Sequence, residues 1–460
     1  LCFKTQASDQ FTCLARRSGL WFATMKNAFD TLSALGVHLG PILVPAPEVD
    51  MERWAVIACD QFTSDPDYWN RVEAFVGDSP STLRLILPEV YLGSKGVAER
   101  VDHIGRTMRD YLEQGVLREV EPGVILVRRK LPSGRVRRGL MVAVDLESYS
   151  FERGAQPLIR PSEQTILDRL PPRMEIRRAA AMELPHVLVL VDDPEDTVIG
   201  PVDRAGGRQV YSGPLMFDAG SVEGIHHTNP AVISGLADAL EQLASHKTAR
   251  RRYGVDEALL FAVGDGNHSL ATAKQIYEEA REQQGDAARR GPLRYALVEL
   301  INIYDEGLTF EPIHRLFTNV DGRRIRRELS RMCGAVETPV SMEDIKNASL
   351  GPLEAVFVDS GSSFKLAFPH DRYELAVEAV EGFIDGADVS DKRAVDYVHG
   401  IDEVTAAAEK PGNCGIVMPT PQKSSFFRTV AHGDVLPRKS FSLGEAEEKR
   451  FYVEGRALEP

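Results

Sequence analysis

The sequence predicts a mixed α/β (α+β) protein: one large architecture with a mixed sheet and a small inserted α/β subdomain. Three observations carry that expectation. Short β-branched runs alternate with longer amphipathic stretches, the pattern of α/β and α+β chains. The chain has 460 residues, which exceeds one ordinary core, since a domain takes roughly 100–200 residues. Hydrophobic residues make up 43% and charged residues 27%, which excludes collagen-like, mucin-like and wholly disordered classes.

The elements follow in order. Residues 42–44 and 54–59 read as strands. Asp65 followed by Pro66 pairs an N-cap with proline at the first helical position, opening a helix to about Phe75. Residues 83–87 read as a third strand. Val97, Val101, Ile104, Met108 and Leu112 form one helical stripe. Residues 124–131 and 136–146 flank Pro132-Ser133-Gly134, a hairpin signal. A charged segment, 160–178, precedes an apolar strand at 186–191. Next come a helix at 230–243, a strand at 259–263, a helix at 270–282 and a long strand at 293–304.

From 321 to 385 the pattern resets to helix, strand, strand, helix, and a last strand at 415–418 and a polar helix at 445–452 close the chain. The expected organisation is an unstructured tail at 1–24 ahead of Met25 as the native start, a main domain at 25–320, an inserted subdomain at 321–390, and a returning segment at 391–460. No solenoid-period repeat or low-complexity linker occurs.

Lys+Arg total 54 and Asp+Glu 68, a net charge of −14. Phosphate backbones and anionic membranes want a basic face, so nucleic acid and membrane are not the expected partners. The cysteines (Cys2, Cys13, Cys59, Cys333, Cys414) are odd in number, with no C-x-x-C pair or zinc-finger histidine spacing. That disfavours a disulfide framework or structural zinc and makes the cytoplasm the expected compartment. No transmembrane run or signal peptide is expected either.

The sharpest chemical feature is Val-Gly-Asp-Gly-Asn-His-Ser at 263–269, where an apolar strand runs into a glycine-punctuated turn and a helix. Helix N-terminal amides suit an anion. Gly264 and Gly266 permit close backbone approach, and Asn267 adds a polar side chain. Asp265 is a candidate base or metal ligand, and His268 a candidate acid, base or phosphate contact. The competing structural role is a tight turn with Ser269 as cap. Asp60 and Asp305 also close apolar strands. Together with Asp265 they form a candidate Mg²⁺ site, although acids are common turn residues too.

Arg160, Glu163 and Arg169 lie in a dense polar set, read either as a phosphate or substrate clamp or as a solvated helix. His314-Arg315 offers a second acid/base candidate and an anion contact; His399 sits before a turn glycine. Lys423, Ser424 and Arg428 combine cations and a hydroxyl without P-loop glycines, as a phosphate loop or a helix start. His226-His227 read as loop residues. No dinucleotide, zincin or α/β-hydrolase motif occurs.

Taken in this order, Val-Ile-Ala-Cys-Asp-Gln-Phe, the 160–169 segment, Gly-Asp-Gly-Asn-His-Ser, 309–315, 395–400 and Lys-Ser-Ser-Phe at 423–426 resemble domain-of-unknown-function family 1015. That group is bacterial and archaeal, and the resemblance covers nearly everything from Gly40 onward. Many members carry Asp-Gly-His-His-Arg at the central turn. Here Asn267 and Ser269 depart from it, so a ligand-contacting arginine would have to come from elsewhere, such as Arg315 or Arg428.

The turn alone is also similar to the phosphate-binding box of the ParB/sulfiredoxin fold, a group that includes nucleotide hydrolases and free-serine kinases. That likeness is short. Family members are often encoded beside serine-biosynthesis enzymes, which implies serine or phosphoserine as substrate.

The combined expectation is a cytoplasmic enzyme of phosphoryl transfer or hydrolysis on a small phosphorylated metabolite or nucleotide, with Mg²⁺ and ATP or ADP as candidate cofactors. Asp265, His268 and His314 would be catalytic. Arg160, Arg315, Lys423 and Arg428 would neutralise developing charge. The alternatives are a non-enzymatic sensor of a nucleotide or small molecule, and an interaction scaffold.

Overall fold

A computed structural model of the chain describes residues 25–63, 65–341, 345, 349–386, 395–437 and 439–459. The tail expected at 1–24 lies outside the described residues. The described residues divide into two compact units, the first taking those up to Leu308 together with Val430–Asp434 and those from Ala446 on, the second those within Thr309–Thr429 and Val435–Glu445. The segment at 321–385, expected as helix, strand, strand, helix, has three strands between its helices among the described residues and lies inside the second unit, which also takes in the strands before and after it.

The first unit is built on a nine-stranded sheet. In chain order its strands are β1 (Val37–His38), β2 (Val124–Lys130), β3 (Val136–Asp145), β4 (Ile159–Pro161), β5 (Leu188–Val191), β6 (Arg208–Pro214), β7 (Ser221–His227), β8 (Phe261–Asp265) and β9 (Tyr295–Asn302). They lie in the order β6-β7-β2-β3-β9-β5-β8-β4, with β1 added to β3. The β9/β5 and β8/β4 pairs are parallel, whereas β8 meets β5 antiparallel, so the sheet is mixed.

The continuous apolar runs follow from burial on both faces. Val124 and Leu126 enter one core, Ile125 and Val127 the other. One face is covered by α4 (Pro230–Leu243) and α5 (Asn267–Gln284), through Ile233, Leu236, Leu240, Leu270 and Tyr277. The other packs against α1 (Pro66–Val76) and α2 (Val97–Glu113), through Trp69, Val72, Ile104 and Met108. The expected Asp65 cap is present: its carboxylate accepts the Tyr68 N–H at 3.0 Å. A further helix, α3 (Leu170–Ala179), follows the charged segment.

Three expectations are corrected. Residues 82–85 form a short 3₁₀ turn rather than a strand, capped by Ser81, with Leu83 and Leu85 buried. A short apolar run does not distinguish the two. The strand at 54–59 shrinks to Val56–Ile57, because Asp50 caps a helical turn, Met51–Trp54, just before it. The polar helix at 445–452 is a 3₁₀ turn, Ala446–Glu448, then a strand, Phe451–Tyr452, that pairs with Val56–Ile57.

In the second unit an antiparallel six-stranded sheet takes β10 (His314–Phe317), β11 (Val336–Pro339), β12 (Glu354–Asp359), β13 (Ser362–Ala367), β14 (Val395–Val398) and β15 (Cys414–Val417). The order is β11-β13-β12-β15-β10-β14. The amphipathic helix α6 (Gly322–Cys333) buries Ile325, Leu329 and Cys333 in the core that α7 (Ala376–Gly386) shares. Among the described residues no helix is long and apolar enough to cross a membrane.

Candidate active site

Strand β8 ends at Asp265, and Gly266 then turns the chain in the left-handed region, φ +79°, to start the 18-residue helix α5. Glycine is required there. A Cβ would also meet Val187 at 3.0–3.1 Å. Gly266→Ala is expected to cost about 1–2 kcal/mol from left-handed backbone strain. The check is a lower urea midpoint at constant slope; an unchanged midpoint would show that the turn relaxes freely.

The turn's side chains divide into scaffold and site. Asn267 is buried and exchanges hydrogen bonds with Ser162: its Oδ1 accepts the Ser162 N–H at 3.2 Å and its amide faces the Ser162 hydroxyl at 3.3 Å. His268 Nε2 accepts the Ile166 N–H at 3.2 Å, which fastens the preceding loop to the helix. Asp265 accepts the Gly266 N–H at 2.9 Å and pairs with the Lys449 ammonium at 3.0 Å. Burial opposes its charge, yet Lys449 holds the carboxyl below its ordinary value.

Ser269, in the first turn of α5, meets His186 Nε2 at 2.9 Å. His186 Nδ1 lies 2.8 Å from the Tyr452 hydroxyl, which reaches Cys59 Sγ at 3.2 Å and accepts the Cys59 N–H at 3.3 Å. One proton order satisfies every group: Ser269 O–H to Nε2, Nδ1–H to Tyr452, Tyr452 O–H to sulfur. Two strand pairings build this chain. The β8/β5 register sets Asp265 opposite Leu188, two residues beyond His186. The Phe451–Tyr452 strand places Tyr452 opposite Val56, near the loop that carries Cys59. Burial, with Asp60 beside it, pushes the Cys59 thiol up to about 12, so it stays protonated near neutrality.

Ser269, His186, Tyr452 and Cys59 line one wall of a cavity of about 170 Å³. The remaining wall is mostly apolar, including Leu87, Met108, Ile176 and Leu297. At its polar edge Arg173 pairs with Glu89, and Arg177 with Glu183 at 2.6 Å.

A family model described as "Protein of unknown function (DUF1015)" matches residues 43–390. The chain belongs to this family. The DUF1015 chain is also similar to solved structures at a distance. One is a conserved hypothetical protein from Pyrococcus furiosus, at 12% identity and TM-score 0.35, covering 68% of this chain and 94% of that one. A free serine kinase in complex with AMP gives 12% identity and TM-score 0.38, over 71% and 95%. SbnI from Staphylococcus aureus, truncated at its C-terminus, gives 10% identity and TM-score 0.35, over 69% and 85%. No curated protein matches the chain.

The other residues singled out in this DUF1015 sequence are placed as follows. Arg160 is buried and donates to the carbonyls of Pro157, Ala258, Val430 and Ala431, which makes it a scaffold tie rather than a clamp. Glu163 is half-buried, and Arg169 is exposed just ahead of α3. The expected metal site is corrected. Asp305 is bound by Arg138 at 3.0 Å and by the Gly307 N–H, Asp265 is held by Lys449, and Asp60 accepts from Gln61. Among the described residues no cluster of three or more His, Cys, Asp or Glu is placed to hold a metal.

In the second unit His314 is buried, and its Nδ1 accepts the Met418 N–H at 3.0 Å. Burial, with Arg315 and His399 nearby, pushes its pKa down to about 4, so the ring is neutral near pH 7. Arg315 is fully buried against Glu381 at 2.8 Å and donates to the Lys439 carbonyl at 3.0 Å, which corrects its reading as an anion contact. Lys423 opens helix α8 (Lys423–Ala431), with its ammonium 6.0 Å from the Phe310 ring; Ser424 and Arg428 are exposed on it. Sequence reasoning missed His186, Lys449 and Tyr452.

Proposed function

We propose that the chain is an enzyme of phosphoryl chemistry, transfer or hydrolysis, acting on a small phosphorylated metabolite or nucleotide at the 264–269 turn. The observation that carries this reading is the Lys449 ammonium fixed 3.0 Å from Asp265, beside the first turn of an 18-residue helix. The first-turn amides of a helix have no intrahelical acceptor and carry the positive end of its dipole. With a neighbouring lysine they can stabilise the charge that a phosphoryl group spreads over its oxygens. His186, bonded to the Ser269 hydroxyl, is the proton acceptor in this reading. His268, engaged by the Ile166 amide, orders the loop. The apolar cavity beside the turn takes the uncharged body of the ligand.

The test is a melting-temperature screen with inorganic phosphate, phosphoserine, serine, ADP and ATP, each with and without Mg²⁺. A ligand present at 100 times its Kd should add about 2.7 kcal/mol of stability. A positive ligand should then be consumed in a time-dependent way. Stabilisation without turnover would favour a sensor, and no stabilisation by any phosphorylated compound would defeat the reading.

A further inference from the structure

We propose that Ser269 is a nucleophile that carries the phosphoryl group as a covalent phosphoserine, with His186 as its general base and Tyr452 positioning His186. The identity of the transferred group rests on the phosphoryl reading above; the nucleophile rests on the Ser269–His186 geometry alone. An activated serine needs a base within hydrogen-bond reach and a third group that fixes the base. Ser269 Oγ lies 2.9 Å from His186 Nε2, and His186 Nδ1 lies 2.8 Å from the Tyr452 hydroxyl. Tyr452 is itself fixed, since it accepts the Cys59 N–H and its strand pairs with Val56–Ile57.

All three side chains line the same cavity, so a substrate seated there meets the hydroxyl directly. Ser269 and His186 are half-buried, partly shielded yet reachable. Asp265 is close enough to His186 to interact with an imidazolium formed there, and it is itself held by Lys449 at 3.0 Å.

The step balances. Ser269 Oγ attacks phosphorus while its proton passes to His186 Nε2, and the bond from phosphorus to the leaving oxygen breaks. The departing alkoxide, in line across phosphorus from Oγ and so beyond His186, takes its proton from water, releasing an alcohol and leaving phosphoserine. Water or an acceptor hydroxyl then attacks phosphorus from that same face, its proton passing to solvent, and the His186 imidazolium returns its proton to Ser269 Oγ as the phosphorus–Oγ bond breaks. No oxidant or further reactant is required.

The experiment uses the full chain and an alkyl fluorophosphonate, whose phosphorus–fluorine bond breaks when a nucleophilic serine attacks. The expected result is one label per chain on the peptide containing Ser269, absent in Ser269→Ala. His186→Ala and His186→Gln should each label at least about 100-fold more slowly, the usual reach of a general base. Tyr452→Phe keeps the ring and removes the hydroxyl. It should slow labelling and move the pH midpoint of the labelling rate, which loss of packing alone would not do. No label at Ser269 in the wild type, or equal rates in folded His186→Gln, would overturn the proposal. Labelling without binding of any phosphorylated ligand would keep the nucleophile and overturn the phosphoryl group; ligand binding without labelling would do the reverse.

Discussion

Replacing Arg450 by methionine is expected to destabilise the first unit by roughly 3–5 kcal/mol, the usual cost of removing one partner from a buried ion pair. The Arg450 guanidinium is buried between Glu299 and Glu454, which are themselves buried, and it also donates to the Pro185 carbonyl at 2.9 Å. Burial disfavours its charge, but the two carboxylates hold its pKa above the ordinary value. Methionine fills similar space and leaves two carboxylates without their cation. The check is the urea midpoint at constant slope. Because the penalty lies in the stranded charges, the triple variant with Glu299→Gln and Glu454→Gln should recover much of the loss. An Arg450→Met protein as stable as wild type would show that water or a rearranged side chain reaches the carboxylates.

That buried triad also explains why the C-terminal segment misleads a reader of sequence. Residues 445–452 are rich in charge, which reads as a solvated helix. Lys449 and Arg450 are instead buried in specific pairs, and the chain passes into a strand that completes the first unit. Arg160 and Arg315 mislead in the same way. A guanidinium has five donors that serve a ligand or buried carbonyls equally well, and only the fold says which are present. The elements legible in sequence are those with a local cause. The 230–243 helix begins on an Asn229 cap with proline at its first position, and the hairpin at 124–145 turns at Pro132-Ser133, with Gly134 following at positive φ. Both come out with boundaries close to the expected ones.

The site was legible in part for the same reason. The 264–269 turn is contiguous, and its glycines, acid and histidine mark it directly. His186 and Tyr452 are single residues 266 positions apart that meet only through strand pairing. The one sequence signal for His186 was its position at the head of an apolar strand; Tyr452 and Lys449 carried none. Proximity in sequence therefore favoured His268 as the base, although its ring nitrogen is engaged by a backbone amide.

Lys449→Ala should weaken binding of a phosphorylated ligand on the order of 10–100-fold, as expected for loss of one charge-assisted hydrogen bond. It should also lower stability near pH 7 by about 1.5–3 kcal/mol, because the mostly shielded Asp265 carboxylate loses its partner. The two effects separate by pH. In the wild type the Asp265 carboxyl lies below its ordinary value of 3.8. Its contribution is therefore fully present above that value and disappears as pH falls through the lower folded one. Without Lys449, burial is opposed only by the Gly266 N–H and by His186, so the carboxyl's pKa rises from its wild-type position. The stability gap between variant and wild type should then be widest near neutrality and close in acid.

Adding Asp265→Asn to Lys449→Ala removes the stranded charge. Stability should return while affinity for inorganic phosphate or ADP stays low, since the cation is still missing. Recovery of both together would mean that Lys449 serves only to hold Asp265. Recovery of stability alone would make the ammonium a ligand contact, which is the role the phosphate seat requires of it.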